Sequence, residues 1–327
     1  MQTRQRRLGR TGPTVFPLGL GTMGMSAMYG PSDDAESVAT IHAALDAGIT
    51  LFDTADFYGT GHNERLLARA LGARRKDVQL SVKFGALRAP GGGWTGVDGR
   101  PAAVKNFLAY SLDRLGTDYV DVYRPARLDP NVPIEDTVGA IADLVKAGYV
   151  RHIGLSEVNP ETVRRAQAVH PIVDVQLEYS LASRGLEAQL PALRAMGVGV
   201  TAYGVLSRGL LVGSKPKGPT DLRAWLPRFT GENATRNAHA QQALADLAAA
   251  RKVSASQLAI AWALSRGDDL LPLIGARTRA QLTDALGALT LELSPAELTQ
   301  LEAACATIAG TRYAPEHMGN LDSERRV

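Results

Sequence analysis

The sequence predicts a closed (β/α)8 barrel, the TIM-barrel form of α/β protein, with an N-terminal β-hairpin before it and a C-terminal helix and tail after it. Three observations carry this expectation. From Pro17 onward, short apolar runs alternate with longer amphipathic stretches, eight such units fit within 327 residues, and glycine or proline marks the joints between them. Strands alternating with helices call for a parallel sheet covered by helices, and eight repeats close that sheet on itself.

The hairpin is expected over residues 5–18, turning at the Gly- and Pro-containing segment 9–13. Strands are expected at 17–21, 50–53, 78–83, 119–123, 152–156, 174–178, 198–203 and 271–274. Helical patterns fill the intervals at 34–47, 64–71, 101–115, 134–146, 161–169, 186–196, 238–266 and 279–286. Gly48, Gly148 and Gly197 each follow a helical run, where a left-handed residue closes a helix. Asn159 before Pro160 and Ser294 before Pro295 pair a capping side chain with proline at the first helical position. The second of these opens a helix at 296–307, outside the repeat. The whole chain, 1–327, therefore reads as one domain, with the barrel at 17–290 and the last helix and tail at 294–327.

Composition narrows the function. The 36 Lys+Arg and 33 Asp+Glu leave a net charge of +3, too little to imply nucleic acid despite a pI near 9.0. Cys305 stands alone, so a disulfide-built scaffold is excluded and a reducing, cytoplasmic setting is expected. No apolar run approaches the ~20 residues of a membrane span. Arg4, Arg6, Arg7 and Arg10 crowd the N-terminus, but no apolar segment or small-residue cleavage site follows, as a secretory signal requires.

A dinucleotide fingerprint offers a competing fold. Gly19, Gly21 and Gly24 have G-x-G-x-x-G spacing directly after a strand, and Asp53 ends the next one. That motif requires a helix to start at the glycines and hold a pyrophosphate. Tyr29, Gly30, Pro31 and Ser32 intervene instead, and the helical pattern starts only near Asp34. These glycines read as a barrel strand turning into a loop.

In a barrel of this kind, chemistry belongs at the C-terminal strand ends and the loops beyond them. Two long loops, 85–100 and 204–237, leave that face. Asp53 and Lys83 end adjacent strands, and Tyr58 lies five residues past the first. Tyrosine holds its proton at neutral pH, and a nearby ammonium makes that proton easier to give. On spacing alone, an Asp–Lys pair that merely staples two strands, with Tyr58 as rim packing, fits equally well.

The segment from Asp53 to Gly59, followed by His62, Asn63 and Glu64, resembles the aldo-keto reductase family. So do Val82-Lys83-Phe84, Gly154-Leu155-Ser156-Glu157, Gln176-Leu177-Glu178-Tyr179-Ser180, Leu206-Ser207-Arg208-Gly209 and Gly310-Thr311-Arg312-Tyr313. The resemblance implies a cytoplasmic NADPH-dependent carbonyl reductase, with Tyr58 as proton donor, Lys83 as modifier of its pKa and Asp53 as the lysine's partner. It implies that Ser156 and Gln176 hold the nicotinamide amide; at Glu157 many members have asparagine. Tyr203 would stack on the nicotinamide ring. Leu206, Ser207, Arg208, Gly209, Gly275, Arg277 and Gln281 would line the cofactor, with Arg277 in the region of the adenosine 2′-phosphate, a dianion that a guanidinium suits. Gln281 and Ala285 replace the arginine and asparagine that often serve the adenosine end. The expected partner is a small carbonyl substrate, met by a monomer or weak homo-oligomer.

One departure stands out. Relatives place a histidine after the fourth strand, in Tyr-Gln-His-Arg-Val-Asp-Pro, where this chain reads Tyr123-Arg124-Pro125-Ala126-Arg127-Leu128-Asp129-Pro130. Ala126 takes the histidine's place. Arg124, two residues earlier, shares its face by strand alternation and is expected either to act near the carbonyl oxygen or to pair with a neighbouring carboxylate. Phe57, Phe84, Trp94 and Ala126 are expected to border the substrate. Two alternatives stay open: an NADPH-binding redox sensor with weak catalysis, and a metal-dependent hydrolase. No H-x-H pair or clustered ligand set supports the second.

Overall fold

A computed structural model describes residues 5–325; Arg4 and the last two residues of the expected tail lie outside the described part. Strands β1 (Arg6–Arg7) and β2 (Thr14–Val15) form an antiparallel hairpin, shorter than the sequence suggested. Strands β3 (Gly19–Gly21), β4 (Leu51–Ala55) and β5 (Gln79–Phe84) open the barrel. A two-stranded ribbon, β6 (Ala86–Arg88) and β7 (Trp94–Val97), follows. Strands β8 (Val120–Pro125), β9 (Val150–Ser156), β10 (Ile172–Glu178), β11 (Gly199–Tyr203) and β12 (Leu270–Gly275) complete it. The barrel is closed and parallel, with the eight strands β3, β4, β5, β8, β9, β10, β11 and β12 neighbours in chain order.

Helices α1 (Asp34–Asp46), α2 (His62–Leu71), α3 (Pro101–Leu115), α4 (Ile134–Lys146), α5 (Pro160–Gln167) and α6 (Leu190–Met196) cover the first strands. The helical region expected over 238–266 is two helices, α7 (Gly231–Ala250) and α8 (Ala255–Leu264). Lys252 turns left-handed between them, and Ser254 starts the second with a reciprocal capping box to Gln257. Helices α9 (Arg279–Gly287), α10 (Pro295–Cys305) and the short α11 (Pro315–Met318) end the chain.

The hairpin plugs the N-terminal end of the barrel. Leu8 and Val15 pack on the inward-facing Leu51, Val122, Val173 and Leu271. Arg6 is buried there and donates to the carbonyls of Leu264 (2.6 Å), Gly267 (3.0 Å) and Leu270. The fingerprint glycines have packing reasons instead of a phosphate: a Cβ at Gly19 would meet Leu273 at 3.0 Å, and one at Gly24 the Arg277 stem at 3.1 Å. Among the described residues, no helix is long and apolar enough to cross a membrane.

Candidate active site

Strand alternation sorts the side chains at the C-terminal mouth. In β4, Phe52 joins the outer core while Asp53 points into the lumen; in β5, Phe84 faces outward and Lys83 inward. Asp53 and Lys83 form a buried ion pair across the two strands. Asp53 also accepts from Ser81 Oγ and from Gln176 Nε2, each at 2.8 Å, so its carboxylate is held by groups from β5 and β10. The Lys83 ammonium lies against the Tyr58 ring, 5.0 Å from its centre.

Asn63 fixes the loop that carries Tyr58. This wholly buried amide accepts from Thr22 Oγ1 (2.5 Å) and Thr54 Oγ1 (2.7 Å), and donates to the Thr22 carbonyl (2.9 Å) and Ser26 Oγ (2.7 Å). It therefore ties the start of α2 to the loop after β3. His62 bonds Ser26 and Asp34 at the surface and is no substitute for the missing histidine.

Burial, then the Asp53 carboxylate, push the Tyr58 phenol well above its ordinary range, and only Arg127 pulls appreciably the other way. The lowering by Lys83 expected from the sequence is not the outcome, because that ammonium is matched to Asp53 and touches the ring. Burial likewise depresses the Lys83 ammonium, opposed by Asp53. Tyr58 is thus a protonated phenol at neutral pH. Its hydroxyl makes no hydrogen bond among the described residues.

Two expectations are corrected. Arg124 is fully enclosed and pairs with Asp174 at 3.1 Å, while its other nitrogen reaches Ser81 Oγ at 3.1 Å. It lies in a polar middle layer of the lumen with Thr201, which also donates to Asp174. No substrate reaches a side chain so enclosed; the alternative of a carboxylate partner is the one realised. Gly154 is required there, since a Cβ would stand 2.6 Å from Asp174 Oδ1 and 3.0 Å from the guanidinium carbon. Phe84 is equally enclosed, stacked on Tyr123 at 4.3 Å and beside Phe107 of α3, and borders no lumen. Its neighbour Lys83 takes the inward side, so Phe84 must take the other.

The remaining wall residues do converge. Phe57 packs edge-on to Tyr58 (5.0 Å between centres) and to Trp94 (5.5 Å), whose indole is also covered by Arg88. Ala126 is buried at the end of β8, held by its amide to the Phe84 carbonyl at 2.8 Å.

The cofactor-side residues surround the rest of the mouth. The Ser156 hydroxyl makes no hydrogen bond among the described residues, and the Gln176 side chain spends one amide hydrogen on Asp53, leaving its Oε1 without a donor among them. Leu206 precedes a left-handed run at Ser207, Arg208 and Gly209, a strained turn fixed by its own loop. Beyond it the loop crosses the barrel mouth, where Leu222 N donates to Met28 O at 3.2 Å and Asp221 holds Arg223 and the Lys217 amide. Gly275 is exposed and a Cβ there would meet open space. Arg277 beside it donates to the carbonyls of Tyr29 (3.1 Å) and Pro31 (3.4 Å), and Gln281 accepts from the Arg277 amide at 2.8 Å.

The C-terminal tail completes the mouth, and sequence reasoning assigned it no role. Arg312 grips Glu157 with two hydrogen bonds, 2.8 and 2.6 Å. Ser323 donates to the same carboxylate, and Asp322 accepts from Asn159 N and Thr162 Oγ1. Glu157 also accepts from the Tyr203 hydroxyl at 2.7 Å. Tyr313 OH receives Arg208 Nη2 at 2.8 Å and lies 3.5 Å from Tyr203 OH. Glu178 neutralises Arg208 (2.8 Å), with Arg228 and Arg312 farther off. The GTRY segment was visible as a motif, but nothing local tells where a tail docks.

A buried carboxylate–ammonium pair under a tyrosine, at the C-terminal mouth of a (β/α)8 barrel, defines an enzyme of the barrel class. A family model described as the aldo/keto reductase family matches residues 17–306. The chain is 38% identical over 324 residues to the probable aldo-keto reductase 1 of Glycine max, covering 95% of this chain and 92% of that one. It is 36% identical to the Schizosaccharomyces pombe aldo-keto reductase yakc [NADP(+)], covering 96% of each. Among solved structures, a glycerol dehydrogenase from Gluconobacter oxydans superposes with a TM-score of 0.84 at 28% identity, over 96% of this chain and 99% of that one. The aldo-keto reductase AKR11C1 from Bacillus halodurans gives 0.74 at 26% identity, over 97% and 99%. This chain belongs to the aldo/keto reductase family, whose members are oxidoreductases that use a nicotinamide cofactor and act on small molecules.

Proposed function

We propose that the protein reduces an aldehyde or ketone to an alcohol with NADPH. The observation that carries this reading is the enclosed Asp53–Lys83 pair, further fixed by Ser81 and Gln176, directly beneath a Tyr58 phenol that is protonated at neutral pH. The mouth fits the cofactor: Ser156 and the Gln176 oxygen suit a carboxamide, Gly275 leaves room at the adenosine end, and Arg277 suits a 2′-phosphate. Bound NADPH supplies a hydride to the carbonyl carbon. Tyr58 gives its hydroxyl proton to the carbonyl oxygen, which becomes the alcohol; Lys83, held by Asp53, lies against the ring that becomes the phenolate. Phe57 and Trp94 shield the carbonyl from water.

Oxidation of NADPH in the presence of a panel of aromatic and aliphatic aldehydes tests the reading. Turnover of any of them, coupled one-to-one to alcohol, supports it; tight NADPH binding by fluorescence with no turnover sinks it. That second outcome is the redox-sensor reading, which alanine at position 126 favours.

A further inference from the structure

Resting on the reductase reading, we infer that Arg127 binds a carboxylate on the substrate, so that the preferred carbonyl compounds are acidic. The other guanidiniums gathered around Glu178 and Glu157 are neutralised: Arg208 and Arg228 by Glu178, and Arg312 by Glu157 and Glu324. Arg127 is not. Its Nη1 donates to the Ala126 carbonyl at 2.6 Å and its Nη2 lies 3.4 Å from Tyr313 OH, a phenol that burial pushes up but Arg208 and Arg127 pull below its ordinary range; neither oxygen is a carboxylate. No carboxylate stands within ion-pair range of it among the described residues. Four guanidiniums thus share three carboxylates, and the surplus positive charge sits at the partly buried Arg127. A half-enclosed charge without a counterion is costly, and a guanidinium has five N–H groups in a fork that matches a carboxylate.

The location separates a substrate anion from a cofactor phosphate. Barrel enzymes hold phosphates at the loops after the last two strands, here β11 and β12. Arg127 follows β8, on the opposite side of the ring, between Lys83 of β5 and Ser156 of β9. It adjoins Ala126, whose side chain is a single methyl group. Tyr58 and Lys83 both feel its charge.

The test compares 4-carboxybenzaldehyde with methyl 4-formylbenzoate, which has the same shape without the charge. In the wild type the acid should be favoured in kcat/KM. In R127Q the acid-to-ester ratio should fall at least about tenfold, chiefly through KM, with R127K intermediate. A ratio unchanged within twofold overturns the proposal, as does a weakened NADPH Kd with the ratio intact, which assigns Arg127 to the cofactor. Binding of 4-methylbenzoate, read by protein fluorescence in the presence of NADP+, needs no turnover. If neither aldehyde is reduced, the reductase reading fails, yet a tenfold weaker 4-methylbenzoate affinity in R127Q keeps the anion site, and an equal affinity removes it.

Discussion

Arg124 and Asp174 form an ion pair, 3.1 Å long, with neither side chain exposed, in the middle of a barrel lumen. The pair is connected to the catalytic group through Ser81, which stands between the guanidinium and Asp53. Breaking such a pair strands a charge. R124M should lose about 3–5 kcal/mol of stability in urea unfolding, and adding D174N should recover more than half of it. Equal stability of the single and wild-type proteins would refute this account of the lumen.

Tyr58 carries the proton in the proposed reaction. Y58F should lower kcat by roughly 10²–10⁴-fold while NADPH affinity, read by fluorescence, stays within twofold. Because burial and Asp53 hold the phenol above its ordinary value of 10.0, reduction should show no alkaline loss of kcat/KM below that pH. A pH–rate limb between neutrality and that value would mean that Lys83 does lower the phenol in the working enzyme.

Glu157 closes the tail over the mouth. Burial raises its pKa, but the hydrogen bonds and charge of Arg312, aided by Arg127, prevail and leave it at about 2 against an ordinary 4.5. A depressed carboxylate contributes its stability above the unfolded value and loses it as pH falls toward the folded one. Hydrogen exchange in the segment from Arg312 to Ser323 should therefore speed up as pH drops from 4.5 to about 2, after correction for intrinsic rates. E157Q should exchange fast at all pH values.

Arg277 tests the cofactor choice. R277A should raise KM for NADPH at least about fivefold and leave NADH within twofold, since one charge-assisted contact to a phosphate is removed. Equal values for the two cofactors in the wild type would deny that Arg277 reads the phosphate.

Much of this was legible in the chain. The eight strands fall where apolar runs and glycine joints placed them, and Asp53 and Lys83 stood at strand ends where barrel chemistry is built. Alternation correctly turned Arg124 inward but gave no depth, and depth separates an ion pair in the lumen from a contact with substrate. Phe84 was misplaced although its neighbour Lys83 already claimed the inward side. Arg127 and Glu157 lie just past strand ends, where alternation stops, so no periodic signal marks their direction.

Local patterning sets which residues enter a strand or helix, because apolar period and turn chemistry act over a few neighbours. By that route the sequence alone determined the barrel, its open end and the pair at its rim. Which charges cancel was decided only in three dimensions. Arg312 meets Glu157 across 155 positions of chain and leaves Arg127 without a carboxylate, an outcome of closure that no local rule encodes.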